Sequence, residues 1–138
     1  MTKKPRGSYA QHQNLIKKFK LKAQQAFPLM RFFDQHVGGF VPYAEIKKLQ
    51  LKPYITKSDI TKLRPKKIGT KGMPDVFALY PFNNQLIYIS LEFKTGSARQ
   101  SLDQVRWQKL VTSMGGIYLV VRDVDTAIDK LTGLLDIA

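Results

Sequence analysis

The stretch DVFALYPFNNQLIYISLEFK, residues 75–94, carries the reading of the fold. Asp75 to Tyr80 is an apolar run set off by Gly72-Met73-Pro74. Pro81-Phe82-Asn83-Asn84-Gln85 supplies turn residues, and Leu86 to Lys94 is a second extended run. Two such runs joined by so tight a turn make an antiparallel hairpin. At period two, Ile87, Ile89, Leu91 and Phe93 of the second strand face one way, and Tyr88, Ser90, Glu92 and Lys94 face the other.

Downstream, Thr95-Gly96-Ser97 ends that strand. Ser101 caps a helix expected to reach about Met114, with Leu102, Val105, Leu110, Val111 and Met114 on its apolar side. Gly115-Gly116 stops it. Ile117 to Val121 is a near-continuous apolar strand, and its place after a helix suggests a buried parallel position. Asp123 or Asp125 caps a last helix with Ala127, Ile128, Leu131 and Leu135 inward. Upstream, Ser8 opens a helix expected to run to about Gln35, with Leu15, Phe19, Ala23, Ala26 and Phe27 at helical spacing. Pro28 breaks or kinks it, so two helices are an alternative, and Gly38-Gly39 ends it. Phe40 to Tyr43 reads as a short strand, Ala44 to Leu51 as a short helix, and Ser58 to Leu63 as another short turn. Helix, strand, hairpin, helix, strand, helix is an α/β sandwich around a small mixed sheet flanked by helices.

The chain has 138 residues, which suits one domain, read as 8–138 behind a flexible basic arm, residues 1–7. It contains no cysteine, which excludes disulfides, thiolate metal sites and cysteine nucleophiles and suits a reducing compartment. The basic N-terminus is followed by no apolar signal core, and no run is long enough for a membrane span, so a cytoplasmic protein is expected, the nucleoid or a phage-infected cell included. Lys and Arg number 23 against 10 Asp and Glu, a formal charge of +13. The excess is confined to residues 1–71, which hold 17 basic and 3 acidic residues; residues 72–138 hold 6 and 7. Two basic groups with few acids between them favour phosphate binding over a merely solubilising surface. Lys17 and Lys18 stand in the first group, and Arg64, Lys66, Lys67 and Lys71 in the second. Charge alone does not separate DNA from RNA or from anionic lipid, but the basic stretches lack the broad apolar face of a membrane-surface helix.

Three charged residues stand in the apolar half where packing would not choose them. Asp75 opens one hairpin strand; Glu92 and Lys94 end the other, on one face. The hairpin brings two carboxylates and an ammonium to one patch. Carboxylate oxygens suit Mg²⁺ or Mn²⁺. Such an ion polarises a phosphoryl oxygen, while Lys94 could orient or deprotonate water or neutralise developing charge. The plain alternatives are a turn-capping Asp75 and a surface Glu92–Lys94 pair of little energetic weight.

Gly72-Met73-Pro74-Asp75, followed by Glu92-Phe93-Lys94, resembles the active-site signature of the PD-(D/E)xK phosphodiesterase superfamily. The stretch through Ser101-Leu102-Asp103-Gln104, Trp107, Gly115-Gly116 and Val120-Val121-Arg122 is similar to that superfamily's virus-type replication-repair nuclease (VRR-NUC) domain. The likeness covers about residues 69–131. It implies a restriction-endonuclease-like αβββαβ core; residues 43–71 are longer than the compact family core and read as a basic insertion that could grip substrate. It implies Asp75 and Glu92 as metal-binding carboxylates, Phe93 as a metal ligand through its carbonyl, Lys94 as the catalytic lysine and Gln104 as a helix glutamine supporting the site. Gly72 would let the backbone pass close to metal or phosphate. Ser101-x-x-Gln104 is equally a capping box, which would turn Gln104 back onto the helix start. The pattern departs in one place: members often carry a glutamate on the first helix, and this one offers only Gln11, His12, Gln13 and Gln24. His12 and His36 read as surface residues, and Trp107 as packing.

The expected activity is Mg²⁺- or Mn²⁺-dependent endonucleolytic cleavage of DNA, selective for branched or junction structures and largely blind to sequence, as in repair and recombination. A homodimer would put two sites on two strands, as in the family's Holliday junction resolvases. The alternatives are a non-cleaving nucleic-acid-binding protein on the nuclease fold, favoured by the missing first-helix acid, and a basic RNA- or ribosome-associated protein.

Overall fold

The computed structural model describes residues 7–35, 38–40, 43–63, 66–68 and 70–137. Most of the expected arm, residues 1–6, and Arg64 lie outside them. The chain divides into two compact units, Met1–Gln35 with Gly72–Ala138, and His36–Lys71. The second unit therefore starts seven residues before the expected insertion.

In the larger unit the elements run α1 (Gly7–Ala26), β1 (Arg31–Asp34), β4 (Val76–Phe82), β5 (Gln85–Phe93), α4 (Leu102–Ser113), β6 (Ile117–Val121) and α5 (Val124–Ile137). The four strands form one mixed sheet in the order β1-β4-β5-β6, antiparallel except for the parallel β5–β6 pair. The β4–β5 turn is shorter than expected. It is the two residues Asn83 and Asn84, at φ 50° and 61°, the left-handed pair that matches strand twist. Pro81 lies beyond the β1 pairing, which ends at Leu79, so its missing N–H leaves no gap on that side.

The expected helix to Gln35 is corrected. Helix α1 ends at Ala26, and the next element is a strand. Pro28 disfavours helical backbone at Phe27. Beyond it Phe32 and Phe33 find partners on opposite faces of the sheet. Phe32 meets Phe19 edge-on at 6.3 Å, and Phe33 stacks on Phe77 at 5.2 Å.

One face of the sheet holds the core. Ile89, Leu91 and Phe93 of β5 pack with Val76, Ala78, Leu119 and Val121, under Phe19 and Ala23 of α1 and Leu131 and Leu135 of α5. Asp123 caps α5, its Oδ2 accepting from the Thr126 amide at 2.9 Å and hydroxyl at 2.8 Å. The other face meets α4, whose expected apolar side is also corrected. Leu102 and Met114 are each 77% exposed and Leu110 48%; Val111 is the buried residue. The inward stripe is Gln104, Trp107, Gln108 and Val111, at spacings of three and four. It is mostly polar because it faces a polar row of β5.

In the smaller unit, β2 (Gly38–Phe40) pairs antiparallel with β3 (Lys66–Ile68), and α2 (Tyr43–Gln50) and α3 (Lys57–Thr61) lie between them in sequence. Thr56 and Asp59 close a capping box on α3, and Lys52 pairs with Asp59. Nine basic residues against two acidic ones give this unit a charge of +7. Among the described residues no helix is long and apolar enough to cross a membrane.

Gly72 adopts φ +91°, and a Cβ there would lie 2.2 Å from the Asp103 carbonyl oxygen. Its backbone passes close to the first turn of α4. Gly72→Ala is therefore expected to cost about 2 kcal/mol or more. Gly96→Ala, at φ +58° with nothing within 4 Å, should cost about 1 kcal/mol. Urea denaturation of the two variants gives the comparison.

Candidate active site

Glu92 is a carboxylate on a strand buried on both faces; only 7% of the residue is exposed. Its neighbours across the register are Val120 on β6 and, one step past the Val76–Leu91 pair, Asp75. Asp75 is exposed at the mouth of β4, and its carbonyl accepts from the Gln35 amide at 2.6 Å. The hairpin thus brings both carboxylates to one end of the sheet, close enough for Asp75 to raise the pKa of Glu92.

Glu92 Oε1 accepts from Gln104 Nε2 at 2.8 Å and lies 3.4 Å from Lys94 Nζ. Lys94 Nζ donates to Gln104 Oε1 at 3.0 Å. That glutamine oxygen also accepts from the Ser101 amide at 2.8 Å, while Ser101 Oγ accepts from the Gln104 amide at 3.2 Å. The two readings of Gln104 are therefore both met by one side chain. It closes the capping box of α4 and joins Glu92 to Lys94.

Glu92 Oε2 is buried and accepts no hydrogen bond. Burial pushes the carboxyl pKa up, Lys94 pulls it down, and Asp75 adds to the rise; the net direction is up. Beside it on β6, burial pushes the Tyr118 hydroxyl up to about 12, with Glu92 adding to the rise; Gln100 Nε2 donates to that hydroxyl at 3.0 Å.

Phe93 gives its ring to the core, 5.6 Å from Phe19, and its carbonyl to the site. His12 of α1 reaches that carbonyl, with Nε2 at 3.2 Å. The expectation that His12 is a surface residue is thus corrected. It continues the inward stripe of Ile16, Phe19 and Ala23 one turn toward the N-terminus, and that spacing was the signal for it. Trp107 does more than pack, since its Nε1 donates to the buried Ser90 hydroxyl at 3.1 Å.

The oxygens at this end of the sheet are the Asp75 carboxylate, Glu92 Oε2 and the Phe93 carbonyl, the last already shared with His12. All are hard donors, and the set fits Mg²⁺ or Mn²⁺. The unpartnered Glu92 oxygen is the observation behind that fit, since buried carboxylate oxygens ordinarily have partners. Among the described residues no three His, Asp or Glu side chains come together as a metal-holding group, so a cation here would draw on the main-chain carbonyl as well.

Of the expected phosphate-binding residues, Lys17 and Lys18 are exposed on α1. Lys18 and Arg122 border a groove that reaches Thr95, next to Lys94. Lys71 is exposed in the smaller unit, where Lys66 and Lys67 stand on β3. Comparison with family models, curated proteins and solved structures finds no match to this chain.

A carboxyl whose pKa rises on folding weakens the fold as it ionises. Below about 4.5, the ordinary glutamate value, Glu92 is neutral in both states and its burial carries no charge penalty. As pH rises through its higher folded value, the penalty appears in full. Without added divalent cations, Glu92→Gln should thus melt at a higher temperature than the parent at pH 7. The gain should shrink toward pH 4 in a thermal melt series.

Proposed function

We propose that this chain is a metal-dependent endodeoxyribonuclease that hydrolyses phosphodiester bonds in branched or junction DNA. The observation that carries the reading is the Asp75–Glu92–Lys94–Gln104 cluster with its unpartnered Glu92 oxygen, held on rigid strands of a strongly basic chain. The order α1, β1, β4, β5, α4, β6 is compatible with the αβββαβ core that the sequence likeness implies. In this reading the chain is a PD-(D/E)xK phosphodiesterase of the VRR-NUC type.

Asp75, Glu92 and the Phe93 carbonyl would hold Mg²⁺ or Mn²⁺, which when bound supplies Lewis-acid polarisation of the phosphodiester. Lys94 places a positive donor beside that position, suited to the charge that grows on the phosphoryl oxygens as water attacks. Gln104 fixes the Lys94 ammonium and the Glu92 carboxylate relative to each other. His12 holds the Phe93 carbonyl. Lys17 and Lys18, with the +7 smaller unit, supply sequence-blind contacts to backbone phosphates.

A second reading, binding without cleavage, is favoured by one contact. His12 already occupies the Phe93 carbonyl, on a helix without an acid to add to the site.

The decisive assay incubates four-way and forked DNA with the protein in Mn²⁺, Mg²⁺ or EDTA. Cutting is expected in the metals and not in EDTA. Lys94→Ala should lower the cleavage rate by about 100-fold or more, and Asp75→Asn should abolish it. Tight binding without cutting in any metal establishes the second reading.

Replacing Lys66, Lys67 and Lys71 together with alanine should weaken binding alike across sequences. The log–log salt dependence should flatten by roughly 0.9 for each DNA phosphate that the variant no longer neutralises. An unchanged slope would mark these lysines as ordinary surface.

A further inference from the structure

Beyond the Glu92 row, the α4 face of the sheet opens into a cavity of about 380 Å³. Its walls are Phe77 and Tyr88 of the hairpin and Trp107, Leu110, Val111 and Met114 of α4. Phe77 and Tyr88 stack at 5.5 Å and continue the row begun by Phe33. None of the residues lining it is charged, so it offers nothing to a phosphate. It suits a flat apolar ring system.

The cavity adjoins the cluster through several residues. Trp107 lies one helical turn after Gln104, and its indole bonds to Ser90, between Tyr88 and Glu92 on the strand. At about 3.3 Å per residue, Tyr88 is about 13 Å along the strand from Glu92. Gln35 and Met73 also line the cavity, and each is tied to Asp75: Gln35 by the hydrogen bond its main-chain N–H donates to the Asp75 carbonyl, Met73 by sequence. Gln35 rests its Nε2 on Met73 Sδ at 3.7 Å and leaves Oε1 buried with no hydrogen bond. An aromatic slot beside a site for polyanions matches one chemistry closely. A nucleobase stacks by its face and donates an N–H from its edge.

We infer that this cavity receives an unstacked nucleobase from a strand lying across the Asp75–Glu92–Lys94 site, an inference that rests on the nucleic-acid reading above. The cavity then selects for unpaired or branch-point nucleotides near the scissile bond. Bases in an intact duplex are stacked and out of its reach.

Trp107 is the one tryptophan of the chain, so its emission reports the cavity directly. The probes are an eight-nucleotide single-stranded oligothymidine and the same backbone with the bases removed, titrated in EDTA. The thymidine strand should quench Trp107 and bind roughly tenfold more tightly than the abasic strand. Leu110→Glu and Met114→Glu, both at exposed positions and checked for an unchanged melt, should remove that difference. Equal affinity for the two strands, or binding with unaltered Trp107 emission, overturns the inference. So does sedimentation as a dimer that Leu110→Glu dissociates while DNA leaves Trp107 silent, since a second copy would then fill the cavity. Cutting with a silent Trp107 removes the base site and leaves the nuclease reading. Quenching without cutting in any metal does the reverse.

Discussion

The arrangement depends on a carboxylate placed where a fold would not choose one. Glu92 sits on a central strand between Val120 and the end of β4, shielded from water. Burying a charge there is costly unless it is paired and hydrogen-bonded. One of its oxygens has the Gln104 amide and the Lys94 ammonium; the other accepts no hydrogen bond of ordinary geometry, although the carboxylate acts on the Tyr118 hydroxyl. The site is thus half compensated. Its upward-shifted pKa expresses that imbalance, because burial outweighs the help from Lys94.

The neighbouring structure can be understood as support for this half-compensated group. Gln104 bridges Glu92 and Lys94 only because α4 starts where it does. Ser101 caps that start, and Gly72 lets the chain pass against the Asp103 backbone where any side chain would collide. Trp107 and Ser90 satisfy each other one row further on, so the polar stripe of α4 leaves few loose ends. On the opposite face Phe93 anchors the strand in the core under α1, which fixes its carbonyl and brings His12 to it. A group held on strands and a capped helix is positioned more firmly than one held on loops.

Residues 72–138 were legible because their signals are local. Glycine, proline and asparagine punctuate the segments. The period-two pattern of β5 separates its faces, and the Ser101 capping box marks its helix. The pairing of Asp75 with the Glu92–Lys94 end followed from the hairpin alone. Strand β1 was not legible, because Arg31–Asp34 becomes a strand by pairing with β4, over 40 residues away in the chain. The inward face of α4 was misread for a different reason. Hydrophobicity selected Leu102, Leu110 and Met114, whereas the helix turns Gln104 and Trp107 inward toward the polar row of β5. A rule that assigns apolar residues to the interior fails where the facing strand presents a polar row. His12 was missed for the same reason, although it holds the same stripe as Ile16 and Phe19.

The same polar row suggests how one strand can serve two kinds of contact. Along the α4 face of β5, Glu92, Ser90 and Tyr88 pass from charged to hydroxyl to aromatic in successive alternate positions. A polymer that alternates charge with flat rings would meet that gradient in register, its phosphate toward Glu92 and Lys94 and a base toward Tyr88. Helix α1, with Lys17 and Lys18, packs on the opposite face of the sheet from this row, where long-range attraction is useful and exact placement is not. Within the larger unit, that division separates the exposed charge of α1 from the short-range geometry of the sheet. The chain's excess of positive charge thus resides outside the Asp75–Glu92–Lys94–Gln104 cluster, which sets two carboxylates against one ammonium.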